Sequence, residues 1–332
     1  MSVPVVAFFN NKGGVGKTTL VYHLAWMYAD LGLRVLAADL DPQANLTAAF
    51  LEEDRLEALY DDATSETRTV FQALARLIGG TGDILPPTLH TIDDDQQLAL
   101  IAGDLALSGF EDDLSINWPG CLDQKERAFR VESAFWRILQ EGARRHEARV
   151  VLVDLGPNLG ALNRAVLLAA DFVAVPLAPD LFSVKGLTNL GPTLHRWRRE
   201  WAERLPRNPD PNLPLPSGRM EPAGYVVLQH AIRLDRPTHA YDRWMRRIPV
   251  EYHRAVLDET APPAANTDHC LARLKHYRSL MPMAQEARKP LFFLKAADGA
   301  LGAHLAAVQD AYHDFKNLAH RLAQRIALPL PG

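Results

Sequence analysis

The sequence predicts an α/β fold: a mostly parallel central sheet with helices on both faces and insertions at its surface. Three observations predict it. Short, near-continuous apolar runs recur near residues 5–9, 35–38, 149–154, 172–176 and 225–229. Such runs suit strands buried on both faces, which is the environment of a parallel sheet. Helical stretches alternate with these runs, the βαβ rhythm that parallel pairing requires. A glycine-rich loop follows the first run and opens the first helix directly. At 332 residues, 48% of them hydrophobic and 23% charged, the chain can bury a sizeable core and is not wholly disordered.

Taken in order, residues 3–10 read as the first strand. Residues 17–31 read as a helix, with Leu20, Leu24, Met27 and Leu31 at helical spacing. Residues 35–38 form a buried strand that ends at Asp39. Residues 149–154 (RVVLVD), 172–176 (FVAVP) and 225–229 (YVVLQ) supply three more. The proline-rich stretch 205–222 and the Pro262-Pro263 region read as loops. The strands straddle the whole chain, so one domain is expected, with insertions near 115–130, 204–222 and 250–279.

Lys+Arg 36 against Asp+Glu 40 gives a formal net charge of −4, which does not by itself mark a nucleic-acid binder. The charge is uneven, however. Residues 51–120 hold fifteen acidic and three basic residues, and residues 191–290 hold seventeen basic and eleven acidic. Either these are two solvated surfaces of opposite sign, or the later segment faces a polyanion. The two cysteines, Cys121 and Cys270, form no CxxC pair or disulfide framework. They read as buried neutral thiols in a reducing, cytoplasmic protein. No apolar run approaches the roughly 18 residues of a membrane span, and no leader pattern or HExxH spacing occurs.

The strongest signal is Lys12-Gly13-Gly14-Val15-Gly16-Lys17-Thr18-Thr19, between the first strand and the first helix. Glycines let the backbone turn its N–H groups toward phosphate oxygens, and the helix N-terminus adds partial positive charge. Lys17 is placed to reach the β- and γ-phosphates, and the Thr18 hydroxyl to ligate Mg²⁺. The pattern GxxxxGK[ST] fails at its first position, where Asn11 stands, and a second lysine, Lys12, is present. The sequence therefore points to ATP and Mg²⁺ as ligands.

This stretch resembles the deviant Walker A motif of the ParA/MinD family of P-loop ATPases. The resemblance implies that Lys12 reaches across a nucleotide-sandwich homodimer to the partner's phosphates. The run from Arg34 to Asn45, with Asp39-Leu40-Asp41-Pro42-Gln43, is similar to the family's second strand. It gives Asp41 the role of orienting the attacking water and sets Asp39 near the Mg²⁺ shell. Alone, the two aspartates could equally be a strand-end turn. Val151–Pro157 resembles the Walker B strand, which makes Asp154 an outer-shell Mg²⁺ residue. Gly156 departs from the family's more frequent D-x-P-P. The resemblance is specific at residues 8–47 and 149–190 and looser elsewhere.

By that resemblance, the chain is expected to be an ATPase of ParA type. It would bind DNA non-specifically for partition or cargo positioning and answer to a ParB-like activator protein at the nucleoid. Candidate DNA contacts are Arg196, Arg198, Arg199, Arg243, Arg246 and Arg247, with Arg233, Arg236, Arg273, Lys275 and Arg278 as further basic positions. Each cluster could instead be a solvated helix face. A MinD-like membrane regulator is an alternative, through the amphipathic stripe Phe315, Leu318, Leu322 and Ile326. That stripe equally suits packing on the chain's own sheet. A third possibility is an ATPase switch subunit of a secretion, positioning or defence assembly that binds no DNA.

Overall fold

The computed structural model describes residues 2–61, 68–228, 238–259, 268–277 and 279–331, without the side chains of 238–241. Eight strands form one sheet: β1 (Val5–Phe8), β2 (Val35–Asp39), β3 (His90–Thr91), β4 (Leu98–Ile101), β5 (Val150–Asp154), β6 (Phe172–Leu177), β7 (Glu221–Leu228) and β8 (Cys270–Leu274). Their order is β3-β4-β2-β5-β1-β6-β7-β8. All neighbours run parallel except β3 and β4.

Strand alternation divides the core into two layers. Val5, Ala7 and Phe9 face one layer, shared with helices Ala134–His146, Ala161–Ala169 and Leu181–Arg204. Val6 and Phe8 face the other, shared with helices Lys17–Asp30 and Ala303–Arg325. Both faces are thus covered, which is why the strands read as unbroken apolar runs.

Register places the chemistry. Phe8 and Asp39 both pair with Asp154, so three strands end at one edge of the sheet. β1 lies between β5 and β6; its connection runs to β2 on the β5 side, whereas that of β6 runs to β7 on the other. A crevice forms outside the strand ends at such a reversal.

Three strands escaped the sequence reading. β3 has two residues, and β4 (LALI) follows an acidic loop that hides it. β8 falls inside the stretch read as an insertion near 250–279, yet it is an edge strand of the sheet. The stretch near 115–130 buries Cys121, Ala128 and Phe129, and 204–222 buries Leu213 and Met220. Cys121 and Cys270 are free and buried. The Pro262-Pro263 region, Arg233, Arg236 and Arg278 lie outside the described residues. The C-terminal stripe is committed to the core: Phe315, Leu318, Leu322 and Ile326 are all buried in the second layer. Among the described residues, no helix is long and apolar enough to cross a membrane.

Candidate nucleotide-binding site

The phosphate loop connects β1 to the helix at Lys17–Asp30. Gly16 caps that helix with φ 80, a left-handed conformation that glycine adopts without steric cost. A Cβ at Gly16 would also lie 2.6 Å from Leu228 Cδ1, at the end of β7. No side chain caps the helix, so its first N–H groups face the crevice without an intrahelical partner. This is an anion site by construction.

Two lysines flank the loop. Lys17 is buried, and its Nζ lies 3.5 Å from the Lys12 carbonyl. Burial pulls its pKa down, while the nearby Asp154 and Asp41 carboxylates act to raise it. Lys12 points elsewhere. Its ammonium is ion-paired with Asp180 and lies 6.0 Å from the centre of the exposed Phe182 ring. Asp180 in turn caps helix Leu181–Arg204 through Ser183 N at 2.8 Å.

The three aspartates differ in their surroundings. Asp39 accepts from Thr47 N at 2.7 Å and Thr47 Oγ1 at 2.8 Å, with Asp41 N at 3.3 Å. Thr47 Oγ1 also accepts from Gly103 N at 2.8 Å. Asp39 therefore ties three chain segments together, and its oxygens are engaged by protein donors. Burial raises its pKa against the pull of these bonds. Asp41 is nearly buried; its Oδ1 accepts from Gln43 N at 3.0 Å and shapes the turn that follows. A Cβ at Gly156, in the loop after β5, would lie 3.2 Å from that same oxygen.

Asp154 is fully buried, and its Oδ2 has no hydrogen-bond partner. Burial raises its pKa, reinforced by Asp39 and Asp41 and opposed by the Thr18 hydroxyl and Lys17. A buried carboxylate with an unpaired oxygen beside a threonine hydroxyl fits a divalent cation. Among the described residues there is no group of three or more His, Cys, Asp or Glu that could hold a metal. A cation here would take Thr18, Asp154 and the oxygens of a bound phosphate or water, the ligand set that suits Mg²⁺.

Beside the loop lies a cleft of about 410 Å³, lined by Thr18, Thr19, Asn45, Gln285 and Arg288 among others. A smaller recess of about 110 Å³ adjoins Gly16 and Thr19 and is closed by Leu228, Leu274 and Tyr277. Residues 274–291 thus contribute to both recesses. The sequence reading gave them only a loose family likeness, because no motif marks an apolar wall.

The basic candidates separate. Arg198 donates to the Arg219 and Met220 carbonyls at 2.7 and 2.8 Å, so its guanidinium is engaged in the fold. Arg196 pairs loosely with Glu200 at 3.9 Å. Arg243 and Arg247 flank the Trp244 ring, and Arg247 reaches Glu251 at 3.7 Å. Arg199 and Arg246 are exposed, without an ion pair among the described residues. They sit on two helices, Leu181–Arg204 and Thr238–Glu251, that pack together.

A family model described as an AAA domain (AAA_31) matches residues 3–206. The chromosome partitioning protein ParA of Caulobacter vibrioides is 32% identical over 203 residues, which cover 60% of this chain and 66% of that one. The match thus spans slightly less than two thirds of that relative's length. Protein DIP2308 of Corynebacterium diphtheriae has a similar fold, with a TM-score of 0.71 at 24% identity over 98% of this chain and 99% of that one. A putative plasmid partition protein of Borrelia burgdorferi, solved bound to AMPPNP, gives 0.58 at 17% identity over 97% and 99%. With the phosphate loop, the parallel sheet and the paired strand-end aspartates in place, the chain belongs to the AAA_31 family of AAA domains and is ParA-like in sequence and fold.

Proposed function

We propose that the chain hydrolyses ATP with Mg²⁺ and works as a nucleotide-switched sandwich homodimer that binds DNA non-specifically, for partition or cargo positioning. One observation carries this reading. An uncapped helix N-terminus, the Lys17 ammonium and the Asp41 and Asp154 carboxylates meet at one crevice at the strand ends. Phosphoryl transfer needs in-line positioning and charge neutralisation more than covalent work by the protein. The AMPPNP complex of the Borrelia relative supports ATP as the nucleotide.

In this reading the N–H groups of Gly13–Thr19 and the Lys17 ammonium hold the phosphates. Thr18 and Asp154 would hold Mg²⁺, which neutralises charge building between the β- and γ-phosphates when bound. Asp41 orients water. Lys12 leaves Asp180 for the partner's nucleotide, so that dimerisation completes each site. The recess beside Leu228 and Leu274 receives the base. The dimer joins two copies of the Arg199–Arg246 surface at the nucleoid, and hydrolysis, timed by a ParB-like activator, separates them. The burial of Phe315, Leu318 and Leu322 counts against membrane anchoring.

Binding to non-specific duplex DNA with ATP, with ADP and without nucleotide, across a salt series, tests this. The expected result is binding with ATP alone that weakens steeply with salt. An ATP-dependent dimer that binds no DNA under any condition would remove DNA from the account and leave the switch to act on a protein assembly.

A further inference from the structure

The loop that carries Gly156 against Asp41 is held from outside the phosphate site. Helix Ala161–Ala169 begins directly after this loop. Its N-cap, Gly160, has no side chain to offer the first N–H groups. Glu111, in helix Phe110–Gly120, meets them instead. Its two carboxylate oxygens accept from Ala161 N at 2.5 Å and Leu162 N at 2.7 Å. A carboxylate at the positive end of a helix makes charge-assisted bonds of this kind. The fit is close, since a Cβ at Gly160 would lie 2.3 Å from Glu111 Oε1.

From the same first turn, Asn163 reaches back to the loop. Its Nδ2 donates to the Gly156 carbonyl at 2.9 Å and the Asn158 carbonyl at 2.6 Å. Hydrogen bonds therefore run from Glu111 to the helix start and from Asn163 to Gly156, which lies beside the Asp41 carboxylate with room for little more than a Cβ between them. No reading of the sequence gave Glu111 a role, because its partners lie 50 residues away along the chain.

We propose that Glu111 is a positioning residue for hydrolysis. It fixes the start of helix Ala161–Ala169 and, through Asn163, sets the 155–160 loop that walls the Asp41 carboxylate. The proposal rests on the chain being an ATPase. Glu111 itself touches neither phosphate nor water.

Glu111→Gln keeps one acceptor oxygen and turns an amide N–H₂ toward the second backbone N–H. The expected result is a kcat about tenfold lower with the KM for ATP within about twofold, the split that misplacement rather than lost binding produces. Amide hydrogen exchange should rise at residues 156–163 and stay unchanged across Gly13–Thr19. Gly160→Ala is the second probe, because its φ of −84 suits alanine and its Cβ would meet Glu111 Oε1 at 2.3 Å, well before Asn158 Oδ1 at 3.2 Å. It should reproduce both effects, and should add nothing in a Glu111→Ala background.

Wild-type kcat and wild-type exchange in Glu111→Gln would overturn the proposal, as would strictly additive effects in the double variant. Should Glu111→Gln fail to fold, unchanged exchange in Gly160→Ala overturns it in the same way. Absence of turnover in the wild type would strike the ATPase reading instead, and exchange at 156–163 would still decide on Glu111.

Discussion

Lys12 is ion-paired with Asp180, the residue that also caps helix Leu181–Arg204. The lysine expected to cross to a partner's nucleotide is thus held within its own chain, and in the proposed dimer that contact would compete with this pair. Asparagine caps helices as well as aspartate does, so Asp180→Asn removes the charge and keeps the cap. A partly exposed ion pair contributes up to about 1 kcal/mol, so this variant should dimerise with ATP roughly two- to fivefold more tightly. Sedimentation over a protein dilution series checks it. Equal or weaker association would mean that the pair does not restrain Lys12.

Asp41→Ala should bind ATP and stall before hydrolysis. A group that orients the attacking water contributes on the order of 100-fold or more. Turnover should fall by about that much while the ATP-bound dimer accumulates on a sizing column. Turnover at the wild-type rate would take Asp41 out of the mechanism.

The sequence and the structure agree where local chemistry dictates geometry. Gly16 is legible because only glycine sits easily at φ 80 in front of the helix at Lys17–Asp30. β1, β2, β5 and β6 are legible because burial on both faces keeps them apolar up to the terminal Asp39 and Asp154. β8 was lost because Arg273 interrupts the short apolar run of an edge strand. Asp39 shows a different limit. The family resemblance sets it near the Mg²⁺ shell, while its engagement by Thr47 depends on where residue 47 returns in space. Arg198 is similar, since only the fold brings the 219–220 carbonyls to its guanidinium.

His23 gives the protein an acid-sensitive buried contact. Its Nδ1 bonds the Thr19 carbonyl at 2.7 Å, Leu291 N donates to its Nε2 at 3.2 Å, and its ring stacks on Phe315 at 4.7 Å. Burial pulls its pKa down to about 4 from 6.5, against the Thr19 bond, so the folded chain keeps it neutral. The unfolded chain takes up the proton first. Its contribution is therefore complete above pH 6.5 and is lost as pH falls from there toward 4, by up to about 3 kcal/mol. Urea denaturation at pH 7.5 and 5 should show a stability drop that His23→Gln reduces. An equal drop in both proteins would exclude His23 as its source.

The basic surface divides into free and engaged arginines, and the division is testable. Arg199→Ala and Arg246→Ala should each weaken DNA binding equally on all sequences and lower the salt slope by about one per lost phosphate contact. Arg198→Ala should act on thermal stability, because its guanidinium bonds two carbonyls. Fluorescence anisotropy against salt, beside melting curves, separates the two. Equal DNA defects in all three variants, or none in any, would contradict the assignment.

The central claim is that ATP switches this chain between monomer and sandwich dimer through Lys12. Analytical ultracentrifugation of the wild type and Lys12→Ala, each with Mg²⁺–ATP, with Mg²⁺–ADP and without nucleotide, tests it most directly. A dimer is expected only for the wild type with ATP. Lys12→Ala should still bind ATP within about threefold of the wild-type affinity, because Lys17 and the loop N–H groups remain, yet stay monomeric. An ATP-dependent dimer in Lys12→Ala, or a wild type whose mass ignores the nucleotide, would contradict it.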